Sequence, residues 1–375
     1  MRAVARESRI SLSTVQRWVQ RAAGARLDRV DWDDRPTGCR RAVNRVSVET
    51  EDLVLRLRRE LKQTSDLGEY GAVAIHREWQ QQEGPPAIPS VRTIGRVLER
   101  RGALDGQRRM RWPAPPRGWY LPAVAHREAD LDSFDIVAGL VIRGGADVEV
   151  FTSVSLHGGL AAAWPRTEIT AKTAVDTLIE HWRAVGLPSY AQFDNDTRFR
   201  GTHTHPDSIG RVARLCLSLD VVPVFAPPRE TGFQAAIENF NGRWQAKVWA
   251  RFEHASLSAL QAQSARFIDA LRRRSAARVE AAPPRRPFPG DWSLDLQRPL
   301  QGCMIFLCRT NERGEGHVLG HSYPVASSWV HRLVRAELDL TADRIDFYAL
   351  RRRDPEHQPL LDTIAYLVPR KRFRE

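Results

Sequence analysis

The chain has 375 residues, 42% of them hydrophobic, and a net charge of +12, enough apolar content for roughly two to four folded domains. It has no apolar run able to span a bilayer and no signal-peptide pattern after Met1, which predicts a cytoplasmic protein with no membrane partner. Cys39, Cys216, Cys303 and Cys308 are too scattered for a disulfide framework and lack the paired His or Cys of a zinc site.

The charge is uneven along the chain. Residues 1–117 hold 24 Lys/Arg against 15 Asp/Glu, residues 118–270 hold 14 against 17, and residues 271–375 hold 19 against 13, so two basic ends flank a slightly acidic middle. Basic ends suit a polyanion, whose phosphates reward clustered arginine through counterion release. An arginine-rich surface serving solubility alone is the alternative.

In chain order, SLSTVQRWVQRA (11–22) predicts a helix capped by Ser11 or Ser13. Val15, Trp18, Val19 and Ala22 form its apolar stripe, and Arg17 points elsewhere. This is the pattern of a helix-turn-helix recognition helix, and residues 1–30 are expected to be such a unit, with a leading helix partly missing. Residues 31–46 read as an irregular linker. Residues 47–104 predict a second helix-turn-helix-like domain. In it Leu53, Val54, Leu57 and Leu61 line one helix, and IPSVRTIGRVLERRG (88–102) supplies another with Ser90 as cap, Val91, Ile94, Val97 and Leu98 as its apolar stripe, and Gly102 as stop. Arg92 and Arg96 stay on the exposed side, where they can enter a major groove. A proline-rich connector with Gly-Trp-Tyr at 118–120 follows, its aromatics expected to dock on a neighbouring domain.

The middle of the chain alternates strand and helix. READLDSFDIVAGLVI (127–142) is apolar enough for a buried strand or strand pair, yet contains Asp130, Asp132 and Asp135, which need solvent or a metal. Residues 191–193 read as the end of a short strand, so Asp194 stands at its carboxyl tip. In AAIENFNGRWQ (235–245), Ile237, Phe240 and Trp244 recur at helical spacing and leave Glu238 on the flank of that face, looking into a cleft. An aspartate at a strand tip and a glutamate on a following helix are two parts of a carboxylate cluster for hard divalent cations. His157, His181, His203, His205 and His254 show no ligand spacing and are expected at the surface or in loops.

Three of these segments resemble the D-D-E catalytic domain of insertion-sequence transposases and retroviral-type integrases: LDSFD, FDND and AAIENFN. The resemblance covers about residues 126–280 and implies a ribonuclease H-like α/β core. It implies Asp132, Asp194 and Glu238 as catalytic metal ligands, with Asn241 on the same helix as an active-site neighbour. Asp135 rivals Asp132, since DSFD lets the motif slide. The Asp194–Glu238 interval of 44 residues is longer than in the best-known members, and DND stands where DNG is commoner. Extra loop at 200–210 absorbs such a difference at little thermodynamic cost.

Beyond AAPPRRPFPGDW (281–292) the chain turns to short apolar or alternating runs, which predict a small antiparallel β-barrel over 292–375. Relatives often end in a barrel that binds DNA without sequence preference. Arg332, Arg335, Arg351, Arg352 and Arg353 would supply its phosphate contacts, a solvated sheet edge being the plainer reading. The fold class expected is therefore multidomain: helical helix-turn-helix ends, a ribonuclease H-like core, and a C-terminal barrel. The resemblance implies a transposase or integrase that uses two Mg²⁺ (or Mn²⁺) ions to cut and join double-stranded DNA, working as a homo-oligomer on DNA at the nucleoid. The alternatives are a catalytically silent DNA-binding regulator and a nuclease without strand transfer.

Overall fold

The computed structural model describes residues 1–30, 32, 46–82, 87–104, 117–202, 205–228, 230, 232–369 and 373. The linker expected at 31–46 lies almost wholly outside them, as do His203 and Cys39. The chain forms two compact units, Met1–Leu55 and Arg56–Glu375.

In the first unit α1 (Arg2–Glu7) is followed by α2 (Leu12–Ala22), whose cap is Ser11: its Oγ accepts the Thr14 N–H at 3.1 Å. The expected stripe is only partly covered. Val15 is buried, but Trp18 and Val19 are exposed, because a six-residue α1 is too short to cover the face of an eleven-residue helix. Arg17 is exposed as expected.

The unit boundary falls inside α3 (Val48–Thr64). α4 (Ala72–Gln80) packs on α5 (Val91–Arg100), where Ser90 caps through the Thr93 N–H and Gly102 stops the helix at φ +63°. Ile94, Val97 and Leu98 are buried and Arg92 and Arg96 exposed, as the apolar spacing predicts, whereas Val91, at the first position of the helix, is exposed.

After the short α6 (Pro122–Ala125), the strands β1 (Leu131–Val141), β2 (Asp147–Ser155) and β3 (Ala161–Arg166) run antiparallel in sequence. Helix α7 (Ala171–Val185), closed at its start by a Thr170/Thr173 capping box, leads to β4 (Tyr190–Phe193), which pairs parallel to β1. Then come α8 (Thr197–Arg200), α9 (Arg211–Ser218), β5 (Val222–Phe225) parallel to β4, α10 (Ala235–Trp244) and α11 (Leu257–Glu280). The spatial order β3-β2-β1-β4-β5, antiparallel then parallel, is a mixed α/β sheet consistent with a ribonuclease H-like core.

Each face of that sheet has its own core. Phe151, Phe134, Phe193, Phe225 and Phe306 form a row of contacting rings on five adjacent strands, with centroids 5.1 to 6.3 Å apart, on the face covered by α7 and α9. On the other face Val137, Leu140, Val148 and Val150 meet Ile237, Phe240 and Trp244 of α10 and Leu260 and Phe267 of α11.

The C-terminal strands differ from expectation. β6 (Cys303–Arg309) pairs parallel with β5, and β9 (Leu333–Asp339), β10 (Arg344–Ala349) and β11 (Leu360–Ala365) continue outward from it, giving one nine-stranded sheet. Only the hairpin of β7 (Glu315–Val318) and β8 (His321–Pro324) stands apart, and no pairing among the described residues closes these strands into a barrel. The reason is written in CMIFLCR, where Met304 to Cys308 are all buried: a strand apolar on both faces suits the middle of a covered sheet.

Candidate active site

The parity of β1 decides which of its aspartates can act together. Phe134 points to the α7/α9 face, so Asp132, two residues before it, shares that face, and Asp135 points to the face of α10 and α11. In β4 Phe193 likewise points to the α7/α9 face and Asp194 to the other. The parallel register Ser133↔Gln192 brings Asp135 level with Asp194 on adjacent strands. Ser133 and Gln192 join across the same step by a 3.0 Å hydrogen bond.

Asp132 is placed apart from Asp194 and Glu238. Its carboxylate is fully buried and held by the fork of Arg285, with Nη1 at 2.9 Å and Nη2 at 2.7 Å. Arg285 lies in the PPRRP segment, which the sequence marks only as a break. His181, also on this side, is buried edge-on against Trp164, and burial pushes its imidazole down to about 4. His157 and His254 are buried as well, in loops as expected but not at the surface. Each ring Nε2 meets a backbone carbonyl, Val124 O and Val248 O respectively.

Asp135 lies on the α10/α11 side, beside Asp194 and Asn241. Its Oδ2 accepts from Asn241 Nδ2 at 2.7 Å and its Oδ1 from its neighbour's Ile136 N–H at 2.8 Å. Burial raises this carboxyl to about 6, and the nearby Asp194 and Glu238 carboxylates push in the same direction. Burial also raises Asp194, whose Oδ1 accepts the Asp196 N–H at 3.0 Å. Glu238 is exposed in the first turn of α10, one turn before the buried Asn241. Asn241 Oδ1 is buried and has no hydrogen-bond partner among the described residues.

Asp135, Asp194, Glu238 and Asn241 are thus brought to the α10/α11 face of the sheet, beside the end of β4. Among the described residues no three acidic, histidine or cysteine side chains stand close enough to hold one ion as placed. The donor set nevertheless fits a hard divalent cation in kind: oxygen ligands only, mutual repulsion that a cation would relieve, and an unpartnered amide oxygen beside them.

Two elements frame this region, an arginine bridge that the sequence did not reveal and the docking of the connector's aromatics, which it did. Arg198 joins Asp196 (Nη2–Oδ2 2.6 Å) to Glu149 of β2 (Nη1–Oε1 2.9 Å), which fixes the turn after Asp194. On the other side Trp119 and Tyr120 pack on Phe233, and Tyr120 Oη donates to Phe233 O at 2.9 Å, so the connector docks against the segment leading into α10.

The basic residues sort into two groups. Arg335 is buried, ion-paired to Glu337 at 2.7 Å, and donates to Tyr120 O at 2.8 Å, so it is a structural residue and not a phosphate contact. Arg332, Arg351, Arg352 and Arg353 are exposed at one end of the C-terminal strands. No described helix is long and apolar enough to cross a membrane.

No family profile and no curated protein sequence matches the chain. Among solved structures, a chain of the simian T-cell lymphotropic virus intasome in complex with a PP2A regulatory subunit is 13% identical with a TM-score of 0.34, covering 74% of this chain and 88% of that one. The catalytic core domain of BIV integrase is 17% identical at a TM-score of 0.27, over 38% of this chain and 80% of that one. The HTLV-2 integrase catalytic core domain in complex with magnesium, in its dimeric form, is 12% identical at 0.27, over 43% and 88%. Likenesses this slight carry no argument, and the functional reading rests on the residues beside the end of β4.

Proposed function

We propose that the chain is a metal-dependent polynucleotidyl transferase of the transposase or integrase kind, with Asp135, Asp194 and Glu238 as its carboxylates. The observation that carries this is that Asp135, within β1, and Asp194, just past β4, lie level on adjacent strands, with Asn241 of α10 bonded to Asp135 and Glu238 one turn before it. When bound, Mg²⁺ or Mn²⁺ would orient the attacking water or DNA 3′-hydroxyl and offset charge on the leaving oxygen. Asp135 within its strand and Asp194 at the end of the next define the geometry. Glu238, exposed on its helix, closes the set by a change of side-chain rotamer. Asn241 holds Asp135 by its Nδ2 and leaves its Oδ1 turned inward. Double-stranded DNA is the substrate, and the helix carrying Arg92 and Arg96, together with Arg17 in the first unit, would contribute to its recognition. A homo-oligomer on DNA is part of the same reading.

The test is Mg²⁺-dependent nicking and joining of labelled duplexes taken from the DNA flanking the gene. Asp135→Asn, Asp194→Asn and Glu238→Gln should each lower both products by more than about a hundredfold, beyond what loss of an outer-shell partner costs, while Mn²⁺ no longer raises the melting temperature. Undiminished joining by Glu238→Gln would remove it from the site. DNA binding without any nicking by the unaltered protein would instead identify a regulator, and nicking without joining a nuclease.

A further inference from the structure

At the end of the sheet where β6 finishes, Arg309 lies beside the turn that follows β10. Its Nε donates to Glu230 Oε1 at 2.6 Å, its Nη2 is 2.5 Å from the same oxygen, and its Nη1 donates to His331 O. Arg352 approaches the other carboxylate oxygen, with Nη2 3.7 Å from Oε2, and lays its guanidinium over the Phe233 ring at 5.4 Å. Glu230 therefore bridges two arginines with one oxygen toward each. Both arginines keep more than a third of their side-chain surface in solvent, whereas Glu230 keeps about a fifth (45%, 40% and 21%). Arg332 and Arg351 continue the same rim, each stacked on Trp329, at 4.8 and 5.2 Å from the ring.

A carboxylate shared between two guanidinium groups presents two anionic oxygens much as a phosphodiester presents its two non-bridging oxygens. We propose that Arg309 and Arg352 form a binding site for a backbone phosphate of duplex DNA, and that Glu230 occupies this site until DNA displaces it. The inference rests on DNA being the substrate, as argued above. Exchange leaves each arginine with an anionic partner. What it releases is the Glu230 carboxylate, three residues before Phe233, which stays packed on Trp119 and Tyr120.

The experiment measures binding of a fluorescent duplex to the full chain in Ca²⁺ across a salt series. Glu230→Gln should tighten binding about three- to tenfold at moderate salt, the scale of a part-exposed ion pair. Replacing Arg309 and Arg352 together by Ala should flatten the slope of log affinity against log salt by roughly 2, and in that background Glu230→Gln should change nothing. The double Lys variant guards against misfolding and should keep most of the slope. Unchanged or weaker binding by Glu230→Gln, or a gain that persists without the two arginines, overturns the proposal. Absence of duplex binding by the unaltered protein at low salt would instead overturn the DNA reading on which it stands.

Discussion

The two faces of β1 carry aspartates three residues apart that meet opposite fates. On the α7/α9 face Asp132 is buried and matched by Arg285, with His181 held neutral nearby. On the α10/α11 face Asp135 is only partly covered and has acids for neighbours, with Asn241 its one side-chain donor among the described residues. The first carboxylate has its countercharge built in, while the second faces two further acids and an amide, the kind of environment that under the proposed function a cation would compensate. Composition around the two is alike; strand parity separates them.

The largest effect should come from breaking the compensated face. Asp132→Ala leaves the Arg285 guanidinium, only 13% exposed, without its partner and should cost about 3 to 5 kcal/mol in chemical denaturation. Joining activity per folded molecule should survive, and its loss in a folded Asp132→Asn protein would move the catalytic role back to Asp132.

Next in size is the pH response of His181. Its folded pKa is lowered to about 4 from an ordinary value near 6.5, so the stability due to its neutral form is present above about pH 6.5 and is lost as pH falls toward 4. That amounts to about 3 kcal/mol at most. His181→Phe should flatten the acid limb of a stability-against-pH curve over this window, and an unchanged limb would assign the acid sensitivity elsewhere.

The uncompensated face should give the smallest effect and the opposite sign. Asp135 has its folded pKa raised to about 6, so its ionisation costs stability that is fully felt above pH 6 and vanishes below the unfolded value near 4. With chelator present, Asp135→Asn should stabilise the protein by roughly 1 to 3 kcal/mol at pH 7.5, and the gain should shrink toward pH 4. Saturating Mg²⁺ should remove the advantage by relieving the unaltered site. A destabilised Asp135→Asn protein at pH 7.5 would mean that the acid is already compensated.

Much of this was legible in the sequence. The strand at 131–141, the strand tip at Asp194 and the amphipathic face of Ile237, Phe240 and Trp244 follow from apolar spacing, and the structure forms them there. The choice between Asp132 and Asp135 was left open because both are flanked by apolar residues, and the deciding partner, Arg285, is 153 residues away. The side-chain direction of Phe134 was the available signal: once that ring is assigned to one core, parity sends Asp135 to the other face. The helix α2 shows the converse failure, since a perfect apolar stripe says nothing of whether a neighbour exists to cover Trp18 and Val19. Short strands in the last quarter suggested a separate barrel because local alternation does not reveal which strand joins the rest of the protein.

The junction between β5 and β6 has a consequence for how this chain came to be assembled. In a protein built from detachable modules, a C-terminal DNA-binding piece can be gained, lost or exchanged without harm to the enzyme before it. Here removal of the last strands would strip β5 of its neighbour and turn Val222–Phe225, three of whose four residues are buried, into an open sheet margin that invites pairing with other chains. Phe306 would be lost from the end of the ring row at the same stroke. The smallest heritable unit therefore runs from the first strand through the last, and the exposed arginines beside β9 and β10 are inherited together with the acids of β1, β4 and α10.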